Sequence, residues 1–193
     1  MNDSAHFIFY AICDIFFHII ILFSTFAPSF RTMNLDDYHK KAQAKQAEHK
    51  KFLARIKNKP PKHFDQKMQD IHDDVFNRID CLSCANCCKT TGPLFTQKDI
   101  ERLAKVFRMK PQQFIETYLR IDEDNDYVLQ SVPCPFLGSD NYCSVYEDRP
   151  KACREYPHTD RRKFYQINHL TIKNTLICPA AYEVVEQMSE EFK

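Results

Sequence analysis

Four cysteines fall within eight residues, Cys81-x-x-Cys84-x-x-Cys87-Cys88, and four more follow at Cys134, Cys143, Cys153 and Cys178. Thiolates are soft donors that select zinc, copper(I) or iron-sulfur clusters. Eight of them divide into two sets of four, each enough for a closed tetrahedral zinc centre or for one cluster. One four-cysteine site beside a structural or redox-active set would use the same residues. The first cluster is too tightly spaced to pair internally without strained disulfides. A site drawn from segments nearly a hundred residues apart makes metal binding part of folding. All eight are therefore candidate ligands for zinc and/or iron, the iron as an iron-sulfur cluster. Cys13, alone in an apolar run, is a bystander.

The neighbourhood of Cys153 carries charge of the opposite sign. Arg149 precedes it and Arg154 follows it, so two guanidinium groups are candidates to offset metal-bound thiolate by donating to sulfur. Ordinary ion pairs with Glu147, Asp148 or Glu155 are the competing role. His158, His169 and the four histidines from His39 to His72 read as surface or packing residues, because eight thiols already saturate two sites. Other chemistries lack candidates. There are only two glycines, Gly92 and Gly138, too few for a phosphate loop or a dinucleotide fingerprint. No Ser-His-Asp order and no H-E-x-x-H helix is present, so hydrolysis has no machinery to point to.

The elements that must position these residues are mostly helical. Leu35 to Lys59 is rich in Lys, Ala, Gln and Glu without a wide apolar stripe, which predicts a solvent-exposed helix ending at Pro60-Pro61. Met68, Ile71, Val75 and Ile79 recur at helical spacing and lead into the cysteine cluster. Thr96 with Asp99 has the spacing of a capping box opening a helix through Ile100, Leu103 and Phe107 to Met109. Pro111 fits the first turn of another helix. The polar run Asp122 to Asp126 turns into the β-prone Tyr127-Val128-Leu129, predicting a short hairpin. Ser131 to Tyr156 is too rich in proline and cysteine for long elements. Phe164 to Leu176 alternates like one or two short strands, and a final helix runs from about Pro179 to Phe192. The expected fold is α-rich α+β: a small irregular metal-stabilised domain with short β-hairpins and an N-terminal helical extension. Residues 1–32 form an apolar N-terminal segment, 33–78 the helical extension and 79–193 the cysteine-cluster metal-binding domain.

Phe7 to Phe23 is nearly unbroken apolar sequence apart from Asp14 and His18. It reads as a membrane anchor or as an over-extended start ahead of Met33; a cleaved signal fits less well, since no Lys or Arg precedes Arg31. If inserted, the Lys-rich flank after it would place the cysteines in the cytoplasm. Reducing conditions there favour metal or redox roles over disulfides. The formal net charge is +1, and residues 34–80 carry a small excess of eleven Lys and Arg over eight Asp and Glu. Nucleic acid is thus a disfavoured partner. Metal ions are the expected partners, beside a protein partner of unknown kind, and a membrane enters only if residues 7–23 are translated and inserted.

CLSCANCC, then PCPFL at Pro133 to Leu137, CSVYEDRPKACREYP at Cys143 to Pro157 and Cys178-Pro179 together closely resemble the YkgJ-like family of cysteine-cluster proteins, described as zinc- or iron-chelating. The resemblance spans about residues 79–180 and gives every family cysteine a counterpart. It implies a metal-chelating domain of undefined biochemical role, sometimes labelled an iron-sulfur oxidoreductase. A related cluster occurs in flagellin lysine N-methylases, but no S-adenosylmethionine motif supports methyl transfer here. The alternatives are an iron-sulfur oxidoreductase passing electrons and a metal-stabilised interaction module; whether the chain is an enzyme is open.

Overall fold

A computed structural model describes residues 34–193. The apolar run 7–23, with Cys13, Asp14 and His18, and Met33 lie outside the described residues. Asn34 opens the first helix, α1 (Leu35–Asn58), by accepting hydrogen bonds from the amides of Asp36 and Asp37 at 3.0 and 3.3 Å. These two carboxylates also sit where the helix dipole favours them. The expectation that α1 is solvent-exposed is corrected: Tyr38, Ala42, His49, Phe52, Leu53 and Ile56 are buried. They form one narrow stripe at three-, four- and seven-residue steps, diluted by so many Lys, Gln and Glu that no wide apolar face stands out.

That stripe meets helix α2 (Phe64–Arg78), which buries Phe64, Met68, Ile71 and Val75. Both pack against the C-terminal helix α9 (Pro179–Glu191), which contributes Val184, Val185 and Met188 to the same core. Pro179 occupies the first turn of α9, where its missing N–H has no helical partner to lose. Between these segments the chain forms a 3-10 turn (Phe164–Ile167) and helix α8 (Asn168–Thr175). Here the expected strands are corrected to helix. Thr171, Asn174 and Thr175 are buried together with Ile172 and satisfy their polar atoms locally or nearby. Thr175 Oγ1 donates to the Ile172 carbonyl at 2.9 Å, and Asn174 Nδ2 donates to the Pro157 carbonyl at 3.0 Å. Polar residues on an inward face imitate the alternation of a strand.

The second core is aromatic. Helix α5 (Gln97–Val106) begins with the capping box expected at Thr96 and Asp99. It stops at Val106, three residues before the expected Met109. Arg108 takes a left-handed φ of 54°, and the amides of Arg108 and Met109 fold back onto the carbonyls of Lys105 and Ala104. Helix α6 (Pro111–Tyr118) follows, with Pro111 in its first turn. Strands β1 (Leu94–Phe95), β2 (Leu119–Ile121) and β3 (Tyr127–Leu129) form an antiparallel sheet in the order β1-β3-β2, with Tyr127 opposite both Phe95 and Ile121. Phe114 lies fully buried at the centre among Phe95, Phe107, Tyr118 and Phe136. The whole is an α-rich α+β fold. Among the described residues no helix is long and apolar enough to cross a membrane.

Candidate metal centre

The CLSCANCC segment forms two short helical turns, α3 (Cys81–Cys84) and α4 (Asn86–Thr90), between the two cores. Asp80 caps α3 by accepting from the Leu82 and Ser83 amides at 2.9 and 3.3 Å. Ala85 joins the two turns at φ 48°, a left-handed conformation that a Cβ makes unfavourable by roughly 1–2 kcal/mol. That twist changes the chain's direction between Cys84 and Cys87. Cys87 and Cys88 follow on α4 with their sulfurs 4.0 Å apart.

Other segments are tied to this hub by specific hydrogen bonds. Asn86 Nδ2 donates to the Ile177 carbonyl at 2.6 Å, which draws Cys178 to the junction of α3 and α4. Cys178 starts α9, and its sulfur accepts the Ala181 amide at 3.4 Å. The Cys134 amide donates to the Cys88 carbonyl at 2.8 Å. Leu137 then bridges to Cys143 in antiparallel fashion, and Ser144 returns its amide to Phe136 at 2.8 Å, so Cys134 and Cys143 share one tight loop. Asn141, at the tip of that loop, donates to the Ser83 carbonyl at 3.1 Å.

Cys153 arrives on helix α7 (Lys151–Glu155), which packs against β1. Its approach is set by a clamp built on Asp99. This buried carboxylate accepts from Thr96, from Arg102 Nη2 at 2.7 Å and from the Lys151 amide at 3.1 Å. Arg102 meanwhile donates to the carbonyls of Asp148 and Arg149 at 3.1 and 3.0 Å. Burial opposes the charge on Asp99, but the hydrogen bonds from Thr96, Arg102 and Lys151 outweigh it and hold the carboxyl below its ordinary range. The sequence shows Asp99 only as a capping residue; its second role depends on a segment fifty residues away.

All eight described cysteines are free thiols. Burial is the main force on most of them. It pushes Cys81 and Cys134 up to about 11, and Cys153 and Cys178 up to about 12. Neighbouring thiolates add to this: Cys84 and Cys88 on Cys81; Cys88 and Cys143 on Cys134; Cys88, Cys134 and Cys143 on Cys153; Cys81 and Cys84 on Cys178. Cys87 and Cys88 share a hydrogen bond, which holds the proton on Cys87 and lowers Cys88. Backbone amides work in the other direction, those of Phe136 and Leu137 favouring the thiolate of Cys134 and that of Val145 favouring Cys143.

No three Cys, His, Asp or Glu side chains among the described residues already converge on a shared cation position. The donor set nevertheless fits a thiophilic metal. The thiols are grouped by tertiary tethers, and amides are directed at several of the sulfurs. Tyr156 Oη, buried and raised in pKa chiefly by that burial and then by Cys178 and Cys87, has no hydrogen-bond partner among the described residues. A hydroxyl in that position lacks an acceptor that an ionised sulfur would provide. Tyr38, from the first turn of α1, also stands near Cys178 and Cys84, and its hydroxyl donates to the Thr175 carbonyl at 2.7 Å. Tyr38, Tyr156 and Asn86 were not visible as site residues in sequence, having no chemistry of their own at that spacing.

Of the two arginines, Arg149 lies near enough to Cys81, Cys143 and Cys153 for its charge to favour all three thiolates. Its guanidinium sits 3.8 Å from the centre of the Tyr146 ring, and its Nη1 donates to the Tyr146 carbonyl at 2.7 Å. Arg154 donates instead to the Arg149 carbonyl. The histidines described are engaged elsewhere in part: His49 is fully buried against Glu186 at 2.6 Å, and His72 bonds Thr159 at 2.9 Å.

Fold and centre thus define a small α-rich protein organised around clustered thiols. The family model for the CxxCxxCC domain, described as a "Putative zinc- or iron-chelating domain", matches residues 80–178, just over half of the chain. The chain belongs to this family. No curated protein and no solved structure gives a match. The matched region runs from residue 80 to Cys178, so α1, α2 and α9 lie outside it, although the α9 N-terminus caps onto the sulfur of Cys178.

Proposed function

We propose that this chain is a metal-chelating module in which Cys81, Cys84, Cys87, Cys88, Cys134, Cys143, Cys153 and Cys178 hold zinc, or iron as an iron-sulfur cluster, and in which the bound metal completes the fold. One observation carries the reading: eight free thiols from distant segments are tethered around α3 and α4, with backbone amides directed at several sulfurs. Bound metal would supply the positive charge that lets such buried thiols ionise together. The chain's own residues prepare for that charge. Asp80 and Asn86 fix the hub, Asp99 and Arg102 fix the approach of Cys153, and Tyr156 offers a proton donor to sulfur. Eight thiolates around two divalent ions would leave a local charge of roughly −4, which Arg149 offsets in part. Free thiols in this number suit a reducing compartment such as the cytoplasm.

The test is purification of the full chain without oxygen, followed by metal content per chain and an absorption spectrum. Zinc without visible absorption supports a chelating module whose metal is structural. Iron with acid-labile sulfide and a visible band supports the iron-sulfur form and makes electron transfer its role. A chain that carries neither metal and takes up neither on reconstitution refutes the reading.

A further inference from the structure

Grouped by position along the chain, the eight thiols would divide into the contiguous Cys81, Cys84, Cys87 and Cys88 and the dispersed remainder. The tertiary tethers divide them differently. We propose that the thiols form two four-sulfur sites separated at the Cys87–Cys88 peptide bond: Cys81, Cys84, Cys87 and Cys178 in the first, and Cys88, Cys134, Cys143 and Cys153 in the second. This inference rests on the chelating reading above and assigns what that reading leaves open.

Three observations carry it. The Asn86 side chain, one residue before Cys87, holds the Ile177 carbonyl at 2.6 Å, so Cys178 is delivered to the α3–α4 side of the hub. The Cys88 carbonyl holds the Cys134 amide at 2.8 Å, and the Leu137–Cys143 bridge keeps Cys143 in that loop, so these two arrive on the Cys88 side. Each group is also seated in a different core: Cys178 packs with the helical one, Cys134 and Cys143 with the aromatic one.

The helical turn itself explains why neighbours in sequence part company. Successive residues on a helix project roughly 100° apart, so Cys87 and Cys88 serve different directions more readily than one centre. Two contacts cross the division: the Cys87 and Cys88 sulfurs lie 4.0 Å apart, and Asn141 of the Cys134–Cys143 loop donates to the Ser83 carbonyl at 3.1 Å.

The test uses the full chain loaded with cobalt(II). Metal is withdrawn stepwise with a competing chelator, and the cysteines that become reactive are alkylated and mapped by peptide mass. The expected result is release in two blocks, Cys178 appearing with Cys81, Cys84 and Cys87, and Cys88 appearing with Cys134, Cys143 and Cys153. If only one cobalt binds, the four protected cysteines must be one of these two sets. Cys87 and Cys88 appearing in one block, with Cys178 in the other, overturns the division.

Paired variants give a second measure. Cys87→Ser/Cys178→Ser should keep half of the wild-type cobalt and Cys87→Ser/Cys88→Ser should keep none; the contiguous grouping requires the reverse. A wild-type chain that binds no cobalt, zinc or iron removes the chelating reading itself, an outcome distinct from binding with the wrong division.

Discussion

On one side of α4, Cys178 begins a thirteen-residue helix that is packed along its length against α1 and α2. On the other, Cys134 and Cys143 sit in a loop with almost no regular structure, and Cys153 rides on a five-residue helix. The helical side is fixed by apolar burial, so its thiol is held by the packing of Val184, Val185 and Met188 in addition to the Asn86–Ile177 tether. The loop side has an aromatic core beneath it, but the thiols above that core depend on single hydrogen bonds and on the Asp99–Arg102 clamp. Rigidity from packing is distributed over many contacts, whereas rigidity from tethers is lost one bond at a time. The two sides should therefore fail differently.

The largest effect expected is on metal uptake as a function of pH. Cys81, Cys134, Cys153 and Cys178 have pKa values raised to about 11 or 12, so near neutrality their thiols hold protons that binding must displace. Affinity should rise with pH, by up to about tenfold per pH unit for each proton displaced. Cobalt titrations at several pH values, with the proton release measured in weak buffer, check this; affinity independent of pH would mean that the thiols are not the donors.

Core truncations come next. Phe114→Ala should cost about 3–5 kcal/mol and Leu53→Ala about 3–5 kcal/mol, read by urea unfolding of the metal-free chain. The comparison is sharpened by the cysteines that alkylate: Phe114→Ala should expose Cys134 and Cys143 first, and Leu53→Ala should expose Cys178 first.

Asp99→Ala should destabilise by about 2–4 kcal/mol, because it strips Arg102, Thr96 and the Lys151 amide of their common acceptor. The pH dependence has a definite sign. The folded carboxyl lies below its ordinary value, so its contribution is complete above about pH 4 and is lost as pH falls through the lower folded value. The stability advantage of wild type over Asp99→Asn should shrink correspondingly in acid, and an advantage constant from neutrality into strong acid would contradict the charged clamp.

Tyr156→Phe separates the sides more finely. The hydroxyl has no partner among the described residues, so its removal should leave the chain without metal unchanged or about 1 kcal/mol more stable, while weakening the metal-loaded chain at the Cys178 side. Melting curves with and without metal distinguish the two effects. The smallest change expected is at Ala85, where glycine would relieve the left-handed backbone and stabilise by about 0.5–1 kcal/mol.

Much of this arrangement is local and therefore legible in sequence. The Thr96–Asp99 cap, Pro111 in a first turn, the hairpin at Asp122–Asp126 and the eight cysteines are all signals contained within a few residues. What escaped was tertiary. The stripe from Tyr38 to Ile56 is too narrow to distinguish from a solvated helix until α9 is laid against it. Thr171 and Thr175 look like the polar half of a strand until their hydroxyls are seen donating to backbone carbonyls. The grouping of the thiols depends on Asn86 and on the Cys88 carbonyl, neither of which has metal-binding chemistry. The poverty of glycine is visible in the sequence, but not its consequence: among the described residues seven non-glycine positions, including Ala85, Arg108 and Asn141, are left-handed, and no glycine is.

The placement of the tyrosines has an optical consequence. The chain contains no tryptophan, so its near-ultraviolet emission belongs to nine tyrosines. Tyr38 and Tyr156 both feel the charge of Cys178 and Cys84, after the burial that chiefly raises their pKa values. A cobalt ion held there would quench their light, which makes these two residues a native, label-free gauge of occupancy on the helical side of the molecule.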